Sequence, residues 1–167
     1  MDVSLLAWMD QREAWVGDAI RKWGWAISYV GGGTCSRPGC ECVGDEGPPF
    51  GYTIGLFGMG HPELLVFGLD SGNTGALLNA LGWRVKHGDH LMPGMELEFD
   101  DWPHKVIPER VPNAGEIVFE ANNFYWRPQE YSVPVLQLSY VDEEGLYPWD
   151  KGSTTPDMQP RPGTFRA

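Results

Sequence analysis

The sequence contains no apolar run long enough to cross a membrane. None of its apolar stretches reaches 18 residues, whereas a transmembrane helix needs about 20. The first residues, Met1-Asp2-Val3-Ser4, also have no basic region ahead of an apolar run, so we expect no secretory signal peptide. These absences predict a cytoplasmic protein without a membrane partner.

Basic residues are scarce. The chain has 12 Lys and Arg against 23 Asp and Glu, which gives a formal net charge of -11. This excess of negative charge repels phosphate backbones and anionic lipid, so nucleic acid is not an expected partner. The ordinary role of this acidity is to keep the protein soluble. The functional alternative is that it attracts a basic partner or a cation.

The common catalytic signatures are missing as well. The sequence has no G-x-S-x-G elbow, no Walker loop, no G-x-G-x-x-G fingerprint and no H-E-x-x-H. These motifs mark serine hydrolases, nucleotide hydrolases, dinucleotide-binding enzymes and zinc proteases. Any enzymatic activity would therefore have to come from residues outside these motifs.

Only three cysteines occur, an odd number that argues against a secreted disulfide framework. Cys35, Cys40 and Cys42 lie within eight residues of one another in a glycine-rich segment. Three thiols and one histidine, such as His61, would complete a four-ligand zinc site. A disulfide or three free thiols are the alternatives, and the spacing does not decide among them.

The apolar pattern predicts an α+β fold with a single domain over residues 1–150 and a Pro/Gly-rich tail over 151–167. We expect a mixed or antiparallel sheet packed by about three helices. The tryptophan-rich stripe of the first helix is typical of a core-facing surface, although it would also suit a partner. Helices are predicted at 3–23, 71–87 and 116–127, and strands at 25–30, 50–56, 63–69, 95–100, 104–107 and 133–140.

The strand over 50–56 has one face of small residues. Glycine weakens a strand unless a neighbour must approach its backbone closely, so either a helix or a flat ligand should cover this face. A ligand there would lie beside the aromatic rings of Tyr52 and Trp149 and beside His61. His61 and Glu63 are close enough in sequence to form an acid–base pair. The simpler roles are a loop-carbonyl contact for the histidine and a strand-end cap for the glutamate. The candidate ligand-binding residues are Tyr52, Thr53, Gly55, His61, Glu63 and Trp149.

Two groups of motifs resemble the domain-of-unknown-function family 4262. The first comprises residues 49–56, 60–64 and 68–69, and the second comprises residues 136–142, Gly145 and 147–150. Together they extend over residues 23–151. The resemblance implies a soluble α+β domain of bacterial or phage origin without an assigned activity, for which a phage or host-regulatory role would fit.

Three functions are consistent with these observations. The first is a non-catalytic binding or accessory protein, because catalytic motifs are absent and Trp and Tyr are abundant interface anchors. The second is a zinc-binding or thiol-redox protein that uses Cys35, Cys40 and Cys42. The third is a small-molecule enzyme with a pocket near Tyr52 and His61. We expect the first.

Overall fold

Five strands form one mixed sheet with helices on both faces in a computed structural model, which describes residues 2–31 and 47–167. The strand order is β1-β2-β3-β5-β4, in which β3 and β5 are parallel and the other pairs are antiparallel. The predicted α+β fold, with a mixed sheet and three helices, is confirmed. The elements are α1 (Val3–Trp23), β1 (Ala26–Val30), β2 (Phe50–Ile54), β3 (Glu63–Phe67), α2 (Ser71–Lys86), β4 (Val106–Arg110), α3 (Phe119–Phe124) and β5 (Val135–Tyr140).

Strand β2 is buried on both faces, as predicted for the segment after the cysteines. Its large side chains, such as Phe50 and Tyr52, pack into the core that α1 and α3 cover. Its small face lies against α2, where Gly51 comes so close to the Thr74 methyl group that a Cβ would collide with it. The glycine therefore permits close packing between helix and strand.

The C-terminal ends of α1 and α2 lie next to each other. Helix α1 ends at Gly24, whose φ of 104° is a left-handed cap that glycine adopts at low cost. Helix α2 begins after Asp70, whose side chain caps the helix by accepting a hydrogen bond from the Asn73 backbone amide. No helix within the described ranges combines the length and the apolar character that spanning a bilayer requires.

One predicted strand is absent, and one predicted helix is shorter than expected. The acidic segment 95–100 forms no strand, since only Leu97 pairs with β4, through a single bridge to Val106. The helix predicted over 116–127 is confined to α3, because Trp126 adopts a left-handed φ of 55° and the Arg127 amide then bonds to the Asn122 carbonyl. Proline and glycine around residue 94 and the Asn122-Asn123 pair are the sequence features that oppose longer elements.

The tail over residues 151–167 is bound to the body of the protein. The Gln159 side chain is buried and makes two hydrogen bonds of 3.0 Å to the Tyr140 backbone, one to its N–H and one to its C=O. Near the C-terminus, the Phe165 ring packs 4.9 Å from the Phe67 ring between ring centres. The tail thus contributes polar contacts to the end of β5 and apolar contacts to the core on the α1–α3 face.

Candidate functional site

Glu63 lies at the start of β3 with its carboxylate fully buried. The carboxylate accepts hydrogen bonds of 2.8 Å from the Thr53 hydroxyl and from the Gly55 amide. The amides of Leu56 and Phe57 donate to it at 3.0 and 3.2 Å. Three successive backbone N–H groups therefore converge on one carboxylate, an arrangement that can bind an anion. Here the anion belongs to the chain itself, and Glu63 caps the turn after β2.

Burial raises the pKa of Glu63 to about 7, because desolvation of the charged form outweighs the four donors that favour it. The left-handed Gly55, with a φ of 136°, turns the backbone so that its N–H points at the carboxylate. A carboxyl group with such a pKa is suited to proton transfer. However, no part of the side chain is exposed to solvent, so its contacts stabilise the fold.

His61 is also buried, and both of its ring nitrogens are engaged. Nδ1 donates to the Pro62 carbonyl at 2.8 Å, and Nε2 accepts from the Leu91 amide at 3.0 Å. These two contacts define one neutral tautomer. Burial lowers the pKa of His61, and the nearby His90 ring lowers it further. His61 would have to give up its contact with Leu91 before Nε2 could bind a metal.

The other candidate metal ligands from the sequence, Cys35, Cys40 and Cys42, lie outside the described residues. Within residues 2–31 and 47–167, no three His, Cys, Asp or Glu side chains are grouped so that they could hold a metal ion. The zinc site therefore stays a prediction from the sequence.

Tyr52 and Trp149 lie away from Glu63. The Tyr52 hydroxyl is buried beneath α3, where it accepts a hydrogen bond of 3.1 Å from the Glu120 amide. Trp149 is 43% exposed and stacks on Tyr147, with ring centres 4.6 Å apart. The structure therefore brings Thr53, Gly55 and Glu63 together, turns the His61 ring toward Leu91, and places Tyr52 and Trp149 elsewhere.

A different group of residues forms an open surface where α1 and α2 end. Trp23 is 54% exposed, Trp83 is 48% exposed and Met59 is 39% exposed. The Met59 methyl group lies beside Gly24, directly after Trp23. Large apolar side chains that remain exposed together mark interaction sites on proteins. We call the surface formed by Trp23, Met59, Trp83, Lys22 and Lys86 the tryptophan surface.

Two lysines connect the rings of the tryptophan surface. The Lys86 ammonium donates to the Trp23 carbonyl at 3.2 Å and lies 5.0 Å from the centre of the Trp83 ring. The Lys22 ammonium lies 4.9 Å from the centre of the Trp23 ring. Both distances fall within the range of cation–π attraction. Each ring thus has one ammonium group against it, and the two lysines give this surface a positive charge.

The electrostatic contacts of these two lysines are with aromatic rings and a backbone carbonyl. In the described part of the molecule, neither Lys22 nor Lys86 forms an ion pair with a carboxylate. Carboxylates neutralise five other cations, namely Arg12, Arg21, Lys105, Arg161 and Arg166. The tryptophan surface is therefore a basic site on a chain whose net charge is -11.

The sequence favoured a core-facing role over a partner-binding one for the tryptophan-rich stripe of α1, to which Trp23 belongs, and it did not connect Trp23 with Met59 and Trp83. Val16 of that stripe is buried and Ile20 packs against the core, but Trp23, the last residue of α1, is 54% exposed. A usable signal was present in the sequence, since a lysine stands beside Trp23 and another follows Trp83 by three residues. A three-residue spacing on a helix brings the two side chains onto one face.

Comparison with known proteins identifies a family. No curated protein matches the chain, and no solved structure matches it. The family model described as "Domain of unknown function (DUF4262)" matches residues 19–154. This range covers most of the chain and contains the Glu63 cap and all members of the tryptophan surface. The chain therefore belongs to the DUF4262 family.

Proposed function

We propose that the protein is a non-catalytic binding protein of the cytoplasm, and that a partner protein binds to its tryptophan surface. The observation that carries this proposal is the joint exposure of Trp23, Met59 and Trp83 where α1 and α2 end. Tryptophan is enriched among the residues that dominate binding energy at interfaces, and methionine adapts to different partner shapes. A lysine ammonium lies against each indole ring, and a cation–π contact that restrains a ring would reduce the entropy lost on binding.

The residues that the sequence offered for catalysis have roles within the fold. Glu63 and His61 are buried, and their polar atoms bond to backbone groups. An enzyme with a pocket near Tyr52 and His61 would need these contacts to open. The alternative of a zinc-binding or thiol-redox protein depends on residues outside the described ranges and stays a prediction. So does a phage or host-regulatory role.

Site-specific photo-crosslinking in cells of the source organism tests the proposal. The photoreactive amino acid p-benzoylphenylalanine replaces Trp83 in one variant, Trp23 in a second and Tyr131, an exposed aromatic residue outside the tryptophan surface, in a third. We expect a discrete covalent adduct with another protein from position 83 and none from position 131. If neither position 83 nor position 23 gives an adduct while the variants remain folded, the proposed function is wrong.

A further inference from the structure

We infer that the partner presents an acidic peptide segment to the tryptophan surface, with carboxylates against Lys22 and Lys86 and apolar side chains against Trp23, Trp83 and Met59. The inference rests on the proposed function and adds the chemistry of the partner. Its basis is the coincidence of exposed indole rings with two lysines that have no carboxylate partner within the described residues.

The geometry of the lysines favours a carboxylate ligand. Each ammonium group has three N–H donors, and Lys86 uses one of them on the Trp23 carbonyl. The remaining donors have no hydrogen-bond acceptor among the described residues, and they lie beside ring faces that suit Leu, Phe or Met side chains. A peptide that alternates acidic and apolar residues would satisfy both kinds of group at once.

The charge of the whole chain favours a short acidic segment over nucleic acid. A peptide of a few residues contacts the tryptophan surface alone, within about one Debye length, which is roughly 8 Å at physiological salt. A polynucleotide extends well beyond that distance and would meet the field of a chain with a net charge of -11. A second copy of this chain would meet the same repulsion.

Selection from a random peptide display library against the immobilised full-length protein provides the probe. We expect the selected peptides to contain two or more Asp or Glu residues together with aromatic or aliphatic residues. A synthetic peptide of the consensus sequence is then titrated against wild type and variants at low and high salt, because a charged interface weakens as salt rises.

The variants separate the two parts of the surface. Trp83→Ala should weaken binding by about 30-fold, as expected for an interface tryptophan. The double variant K22Q/K86Q should weaken binding by about tenfold and reduce its dependence on salt. The matched controls are Tyr131→Ala for an exposed aromatic residue and Lys151→Gln for an exposed lysine, and we expect less than about a twofold change from either.

The outcomes distinguish this inference from the function on which it rests. Neutral or basic consensus peptides, binding that K22Q/K86Q leaves unchanged, tighter binding of single-stranded DNA than of the peptide, or dimerisation through the tryptophan surface would each overturn the acidic partner. If photo-crosslinking succeeds but the selection gives no consensus, the acidic partner is wrong and the proposed function stands. If both fail, the proposed function is wrong as well.

Discussion

The surroundings of Glu63 and the tryptophan surface are opposite in character. Around Glu63, a charged side chain is buried and four donors from the chain itself surround it. At the tryptophan surface, large apolar rings stand in solvent and their neighbouring lysines lack carboxylate partners within the described residues. A buried polar group whose contacts are all internal stabilises a fold, whereas exposed apolar groups held in order are available to a partner.

The largest effect is expected from Glu63→Ala. The substitution leaves three buried backbone N–H groups without an acceptor, so we expect the free energy of unfolding to fall by about 4 kcal/mol. Urea unfolding measures the change, with Glu143→Ala as a control at an exposed position. A fall in the free energy of unfolding of less than about 1 kcal/mol would show that the Glu63 contacts contribute little to stability. The contrast between a stabilising buried carboxylate and an exposed binding surface would then be wrong.

A change of pH is expected to have a somewhat smaller effect on the free energy of unfolding. Because the folded-state pKa of Glu63, about 7, lies above its ordinary value of 4.5, the folded protein binds more protons than the unfolded chain between these values. The contribution of Glu63 to stability is therefore fully present below about pH 4.5 and is lost as pH rises through 7, by roughly 3 kcal/mol in total. His61 acts in the opposite direction, because burial lowers its pKa.

The difference in stability between wild type and Glu63→Gln isolates the contribution of Glu63, since His61 is common to both proteins. Unfolding in urea at a series of pH values should show this difference shrinking as pH rises from 4.5 to about 7. A difference that is constant with pH would mean that Glu63 titrates alike in the folded and unfolded states.

Trp83→Ala should affect binding more than stability. The ring is half exposed, and its contacts within the protein are an edge contact with Trp25, a tilted contact with the His87 ring and a contact with the Lys86 ammonium, so we expect a stability loss of about 1 kcal/mol. The affinity for the partner should fall by about 30-fold, or about 2 kcal/mol. Thermal unfolding and titration with the partner measure the two quantities. If stability falls more than binding does, Trp83 is a packing residue and the comparison fails.

The smallest effect is expected from Trp126→Gly. Trp126 is 87% exposed and has a φ of 55°, which glycine adopts more easily than tryptophan. The free energy of unfolding of the variant should therefore be higher than that of wild type by about 0.5–1 kcal/mol. Partner binding should not change. Weakened binding would extend the binding surface from the tryptophan surface to the residues after α3.

The fold was largely predictable because its elements depend on local patterns. Strand β2 alternates large and small residues, and α1 has apolar residues at helical spacing, so both were predicted close to their observed bounds. The short α3 was not, because the left-handed Trp126 and the bond from the Arg127 amide to the Asn122 carbonyl end the helix, and no apolar pattern signals either feature.

The candidate site was harder to predict because its character depends on where helices end in space. The sequence indicates that Trp23 belongs to an apolar stripe, but only the position of α1 over the sheet leaves this ring in solvent. The net charge also pointed toward a basic partner or a cation, whereas Lys22 and Lys86 form a local basic surface once α1 and α2 meet. Composition reports the total charge of a chain and says nothing of its distribution.

The most direct test of the tryptophan surface is the yield of photo-crosslinked adduct from position 83 compared with position 131 in living cells. The proposed function predicts one dominant protein adduct from position 83, diminished when Trp23→Ala is added to the same chain. Equal yields at the two positions, or no protein adduct at either position 83 or position 23, would contradict it.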